Sequence, residues 1–175
     1  IGLAAVHLLA RDPYSVMLVL PADHIIKDRR RFELGVRAAV HLAQDGMLVT
    51  FGIPPDRPET GYGYLQLGEA VSKSAFRVKA FKEKPKVATA RRYVRSGRYL
   101  WNSGMFVWRV DAILAAFERH LPAFHAQLVR YSGAVGTKRE SATLRRMYRD
   151  APATSIDYAI MEKSHNIAAV RATFD

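Results

Sequence analysis

Apolar residues recur at helical spacing over residues 1–10 and 31–44, whereas residues 15–20 and 47–51 are nearly unbroken apolar runs. The spaced segments predict helices. The second of them sets Phe32, Val36, Ala39, Val40 and Ala43 on one face and ends near Gly46. The unbroken runs, bounded by Pro13-Tyr14, Pro21 and Gly46, predict strands buried on both faces. Strand, helix, strand in succession implies a parallel crossover and an α/β fold. Residues 52–58 then form a proline-rich loop, 62–67 alternate like a strand, and 77–81 supply its partner. Val87, Ala90 and Val94 mark a short helix over 87–96, closed by Gly97, and 105–108 form an aromatic-rich strand. Asp111 is the expected N-cap of a helix over 112–120, and Pro122 the first-turn residue of the next. A loop over 132–137, a basic helix over 139–149, a short helix over 155–163 and a last strand over 167–170 complete the pattern.

The composition fits one soluble domain: 175 residues, 49% hydrophobic, with no segment near the roughly 20 apolar residues that span a membrane. Cysteine is absent, which excludes disulfide scaffolds, thiol nucleophiles and thiolate zinc sites and is compatible with a cytoplasmic location. The first residues carry no basic leader of the secretory kind, and they open inside a helical pattern without an N-cap. The formal charge of +11 raises the question of nucleic acid. Its densest groups, Arg29-Arg30-Arg31, Arg91-Arg92-Arg95-Arg98 and Arg145-Arg146-Arg149, fall on predicted helix faces, with only Tyr93 and Tyr99 near them for base stacking. The preferred reading is a basic surface, with no nucleic-acid or membrane partner.

Candidate chemistry collects at loop positions. Asp23 follows the first apolar strand, where it either meets a phosphate-bound divalent cation or caps the next turn. Thr60-Gly61-Tyr62-Gly63-Tyr64 is either a glycine hairpin bend or a wall that a ligand approaches closely. It is not a dinucleotide fingerprint, because Gln66 stands where the third glycine belongs. Glu83-Lys84 joins a carboxylate suited to sugar hydroxyls to a lysine suited to phosphate, or is a surface charge pair. Asn102, within Trp101-Asn102-Ser103-Gly104, offers an amide for hydroxyls or marks a tight turn. Asp157 and Glu162 face either a site or solvent from their helix. The histidines lack a zinc-protease spacing, no G-x-S-x-G elbow occurs, and residues 133–138 lack the phosphate-loop spacing.

Taken in order, LPADHII at 20–26, FGIPPDRPETGYGYL at 51–65, FKEKP at 81–85, YLWNSGMFVW at 99–108 and SIDYAIMEK at 155–163 closely resemble successive segments of bacterial mannose-1-phosphate guanylyltransferases. The resemblance implies a Rossmann-like nucleotide-diphospho-sugar transferase fold, with a mixed, mostly parallel sheet flanked by helices. Residues 1–175 would be one partial nucleotidyltransferase domain, incomplete at both ends. Neither the family's upstream Gly-Gly-x-Gly-x-Arg loop nor its downstream Trp-Ser-Asp-x-Gly segment occurs in these residues. It implies further that Asp23 binds the catalytic Mg2+ and that Thr60, Gly61, Tyr62 and Gly63 line the sugar and nucleotide cleft. Glu83 and Asn102 would bind mannose hydroxyls and Lys84 the sugar phosphate, while Asp157 and Tyr158 match the family pattern without a fixed role. Mannose 1-phosphate and GTP are the implied substrates, GDP-mannose and pyrophosphate the products, with Mg2+ as cofactor. A homodimer is compatible with this. The isolated 175 residues are expected to turn over little GTP. The competing readings are another sugar-1-phosphate nucleotidyltransferase and a noncatalytic basic module that binds a sugar phosphate or nucleic acid.

Overall fold

The computed structural model describes residues 1–174. In chain order the elements are α1 (Gly2–Leu9), β1 (Val16–Val19), α2 (Arg29–Gln44), β2 (Leu48–Ile53), β3 (Tyr64–Ala70), β4 (Ala75–Lys82), α3 (Val87–Ser96), β5 (Tyr99–Arg109), α4 (Val110–His120), α5 (Pro122–Ser132), α6 (Glu140–Arg149), a π-helical turn (Asp157–Met161) and β6 (Ile167–Arg171). The strands lie in the order β1-β5-β2-β6-β4-β3, and β3 pairs back onto β5. Strand β5 makes this closure possible. Its C-terminal part pairs with β1 and β2, while Tyr99–Trp101 turn to β3.

Period-two alternation divides the core into two layers. Leu48, Phe106, Trp108, Ile167 and Ala169 face the side covered by α1, α4, α5 and α6. Val49, Phe51, Met105, Val107, Ala168 and Val170 face the opposite side, against Ala39, Leu42 and Ala43 of α2. A smaller group joins Tyr64 and Trp101 to Ala90 of α3, with Tyr93 stacked on Tyr99 at 3.9 Å. The helix ends follow local chemistry: Asp28 caps α2 by accepting from the Arg31 N–H, Pro122 opens α5, and Gly97 closes α3 in the left-handed region.

The α/β class, mixed sheet and flanking helices agree with the expectation, but the sheet is not mostly parallel. Among the described residues β2–β6 is the parallel pairing, and the other paired strands are antiparallel. An apolar run reports burial on both faces and carries no information about the direction of its neighbour. Here β5 inserts antiparallel between β1 and β2, separating the two strands of the crossover. Strand β1 is also less buried than expected, with Leu18 40% exposed, because among the described residues β5 is its one strand neighbour. Asp111 does not cap α4. It lies inside the first turn, where its carboxylate takes the Arg109 guanidinium and the Ala112 N–H. No helix among the described residues is long and apolar enough to cross a membrane.

Candidate functional site

A cleft of about 390 Å³ opens between the end of β2, the residues leading into β3, the segment after β4, the middle of β5 and the π-helical turn. Its walls bring together Gly61, Tyr62, Gly63, Glu83, Lys84, Asn102 and Asp157, seven positions singled out by the sequence pattern. They come from four separate stretches of chain.

Asn102 owes its place to an irregularity. Between the pairs Thr50↔Phe106 and Gly52↔Asn102, β5 advances four residues while β2 advances two, so Ser103–Met105 bulge out of the ladder. Gly104 takes φ +74 within that bulge, a conformation that strains any side chain with a Cβ. The predicted turn at 101–104 is thus a bulged strand. It leaves the Asn102 carboxamide held from both ends: Oδ1 accepts from the Thr50 hydroxyl at 2.7 Å, and Nδ2 donates to Asp157 Oδ1 at 2.9 Å. Thr50 is fully buried, and its hydroxyl also lies 3.0 Å from the Met105 carbonyl. The Asn102 N–H donates to the Gly63 carbonyl at 2.8 Å, tying the bulge to the β3 approach.

Glu83 forms the facing wall. Its side chain is 8% exposed, with Oε1 3.6 Å from Lys84 Nζ and Oε2 buried without a hydrogen-bond partner among the described residues. A Cβ on Gly63 would stand 2.5 Å from Oε2 and 3.2 Å from the Phe81 ring, so glycine lets the carboxylate lie against the backbone. The backbone around it is braced: the Glu83 N–H donates to Glu162 Oε1 at 2.8 Å, and the same oxygen takes Lys82 Nζ at 3.2 Å. Lys84 sits at φ 45, the one non-glycine residue with positive φ among those described.

Burial sets the electrostatics. It pushes the Glu83 carboxyl above its ordinary range, the Asp157 charge adds to this, and Lys84 pulls the other way. Asp157 is likewise raised by burial, with its own backbone, Asn102 and Lys84 opposing. Both carboxylates feel Lys84, and Asp157 also takes the Asn102 amide, leaving acceptors and a cation in one small volume.

Further along the cleft Tyr62 meets Trp101 edge-on at 5.3 Å, and the Arg57 guanidinium lies 5.2 Å from the Trp101 ring. Thr60 and Asp23 stand outside the lining. The Thr60 side chain is exposed, and its N–H is taken by Glu59, which also accepts from Gly61. Asp23 is exposed one residue before His24, which does line the cleft, and Tyr158 is exposed beside Asp157 but outside it. Among the described residues no three His, Asp or Glu side chains gather to hold an ion. A single carboxylate fits Mg2+ in one way, since that ion takes one or two protein carboxylates and fills its octahedron with phosphate oxygens and water.

Thr50 and Arg57 escaped the sequence reading. A lone polar residue inside the apolar run 47–51 was a legible signal for Thr50, because a buried hydroxyl requires a partner. Arg57, between two prolines in a loop, gave none.

Residues 2–134 match the family profile described as nucleotidyl transferase. Over 174 residues the chain is 41% identical to the xanthan biosynthesis protein XanB of Xanthomonas campestris pv. campestris, covering 97% of this chain and 36% of the relative. It is 40% identical over 177 residues to a mannose-1-phosphate guanylyltransferase of Escherichia coli, covering 97% and 37% respectively. The chain therefore spans about a third of the length of these curated relatives. A crystal structure from Thermus thermophilus, named mannose-1-phosphate geranyltransferase, superposes with a TM-score of 0.85 at 35% identity over 99% of this chain and 49% of that one. A Helicobacter pylori structure named mannose-6-phosphate isomerase gives 0.82 at 30% identity, covering 99% and 68%.

Proposed function

The chain belongs to the nucleotidyl transferase family, and from that premise we propose that its cleft binds mannose 1-phosphate for transfer of GMP from GTP. In that reaction a phosphate oxygen of the sugar phosphate bonds to the α-phosphorus of GTP. The bond from that phosphorus to the bridging oxygen breaks, and pyrophosphate leaves with GDP-mannose as the other product. Lys84 neutralises the sugar phosphate as a point charge. Glu83 and Asn102 take sugar hydroxyls, and Asp157, through its hydrogen bond to Asn102, fixes which end of the amide faces the ligand. Gly61, Tyr62 and Gly63 form the wall against the sugar, with Thr60 next to them in sequence and outside the lining. Asp23 would hold Mg2+, which when bound would supply charge neutralisation on the phosphates. No covalent enzyme intermediate is needed, because positioning and charge carry the transfer.

The observation that carries this reading is Glu83: a buried carboxylate with one unpartnered oxygen, beside a lysine, in the same cleft as an amide. Burying such an acceptor without a partner costs roughly 1–3 kcal/mol, a penalty that a sugar hydroxyl removes. Titration calorimetry with mannose 1-phosphate, mannose and inorganic phosphate tests it. Mannose 1-phosphate should bind the chain best, and Lys84→Ala should weaken it at least about tenfold, or 1.4 kcal/mol, while leaving mannose binding unchanged. Equal binding of mannose 1-phosphate by the parent and by Lys84→Ala refutes the assignment.

A further inference from the structure

A second, larger cavity of about 950 Å³ lies between α5 and α6, apart from the cleft. Five arginines line it: Arg130 from α5, Arg139 at the start of α6, and Arg145, Arg146 and Arg149 from α6 itself. Asp150 is the acidic residue on its wall, and that carboxylate is taken by Arg149 at 2.8 and 3.2 Å, with Arg146 close by. Glu140, the nearby acid at the head of α6, is spent elsewhere, accepting from the Gly136 N–H at 2.8 Å and the Tyr131 hydroxyl at 3.2 Å. Among the described residues Arg130, Arg139 and Arg145 therefore have no ion-pair partner. Arg130, Arg146 and Arg149 lie in the last turns of their helices, where a cation is favoured, but like charges gathered around one cavity still repel one another. A multivalent anion reverses the sign of that interaction, and guanidinium forks match phosphate oxygens two at a time.

We propose that the α5–α6 groove is a second binding site, for a compact polyphosphate: free pyrophosphate or the phosphate chain of a nucleotide. Two features select this class over nucleic acid. Among the described residues no aromatic ring lines the groove, so bases have nothing to stack on. The other arginine groups stand on α2, which covers the opposite face of the sheet, and on α3, so the positive charge forms no continuous track. The floor adds one detail: the Gln127 carboxamide oxygen is buried with no hydrogen-bond partner among the described residues. A hydroxyl or N–H of a nucleoside would satisfy it.

Calorimetric titration of the chain with sodium pyrophosphate, with ADP and with a short DNA duplex tests the site, and removing Lys84 separates it from the cleft. In the Lys84→Ala background, which removes the cleft's own phosphate contact, pyrophosphate binding should persist, weaken at least tenfold on adding Arg145→Ala/Arg146→Ala, and weaken also on adding Arg130→Ala on the other wall. ADP binding no tighter than pyrophosphate identifies the phosphate chain as the whole ligand. Tighter ADP binding whose advantage is lost in Gln127→Leu identifies a nucleotide. The proposal is overturned if the arginine variants, folded by circular dichroism, bind pyrophosphate as the parent does. It is equally overturned if duplex DNA competes pyrophosphate out at lower concentration than ADP does, or if Lys84→Ala alone removes the binding.

Discussion

Replacing Gly63 with alanine adds one methyl group to the wall of the cleft. The new Cβ would stand 2.5 Å from Glu83 Oε2 and 3.2 Å from two atoms of the Phe81 ring, both inside normal contact distance. Gly63 is not in the left-handed region, so the backbone accepts alanine and the whole effect is steric. The Phe81 ring can yield by tenths of an ångström, and the carboxylate must turn away within a buried wall, which loosens the approach of its other oxygen to Lys84. Overpacking of this kind costs about 1–3 kcal/mol. At about 2 kcal/mol, a chain of this size loses about 4–8 °C in Tm. Chemical denaturation of Gly63→Ala, Glu83→Ala and the double variant isolates the contact. The alanine penalty should fall by at least about 1 kcal/mol when Glu83 is already truncated, and mannose 1-phosphate binding should be lost in all three. Additivity within about 0.5 kcal/mol would show that the carboxylate does not rest on Gly63, and the packing assigned to this wall would be wrong.

Lys84→Gly and Lys84→Ala both remove the amine, but only glycine occupies φ 45 without strain, so the glycine variant should be more stable by about 1 kcal/mol in urea denaturation while both lose sugar-phosphate affinity. Thr50→Val leaves Asn102 Oδ1 without its 2.7 Å donor, and should cost about 1–3 kcal/mol by the same measurement with little change in side-chain volume. Asn102→Asp sets a second carboxylate against Asp157 in place of a donor, so stability should fall more steeply than in the parent as pH rises from about 4 to about 8.

Helix positions were legible because each depends on local periodicity and end chemistry: α3 runs over the predicted 87–96, and Pro122 opens α5 as expected. Most of the cleft was legible too, since Gly61 to Gly63, Glu83-Lys84 and Asn102 are polar or glycine positions at the ends of apolar runs. What escaped depends on residues distant in sequence. The direction of β5 is set by partners more than 50 residues away, as in the pairing of Thr50 with Phe106. The bulge at Ser103–Met105 exists only relative to β2, so Trp101-Asn102-Ser103-Gly104 reads as a turn in isolation. Asp111 failed as a cap because α4 opens at Val110, one residue ahead of it, which puts Asp111 inside the first turn with its carboxylate on Arg109 and the Ala112 N–H.

The raised carboxyls of the cleft bear on what the fold is organised to do. A group whose folded pKa lies above its unfolded value contributes stability below the unfolded pKa and loses it as pH rises through the folded one. Glu83 is such a group, raised by burial first and then by Asp157, so at neutral pH its ionised form works against the fold. Glu83→Gln should therefore be more stable than the parent at about pH 7, and that advantage should shrink toward about pH 4, where the parent carboxyl is protonated. Urea denaturation across that range measures the difference directly. An advantage that instead grows as pH falls would mean that the Lys84 pair outweighs burial. If the advantage behaves as argued and mannose 1-phosphate binding is lost in the same variant, the buried carboxylate is retained against its own effect on stability, and ligand binding is the term that offsets it.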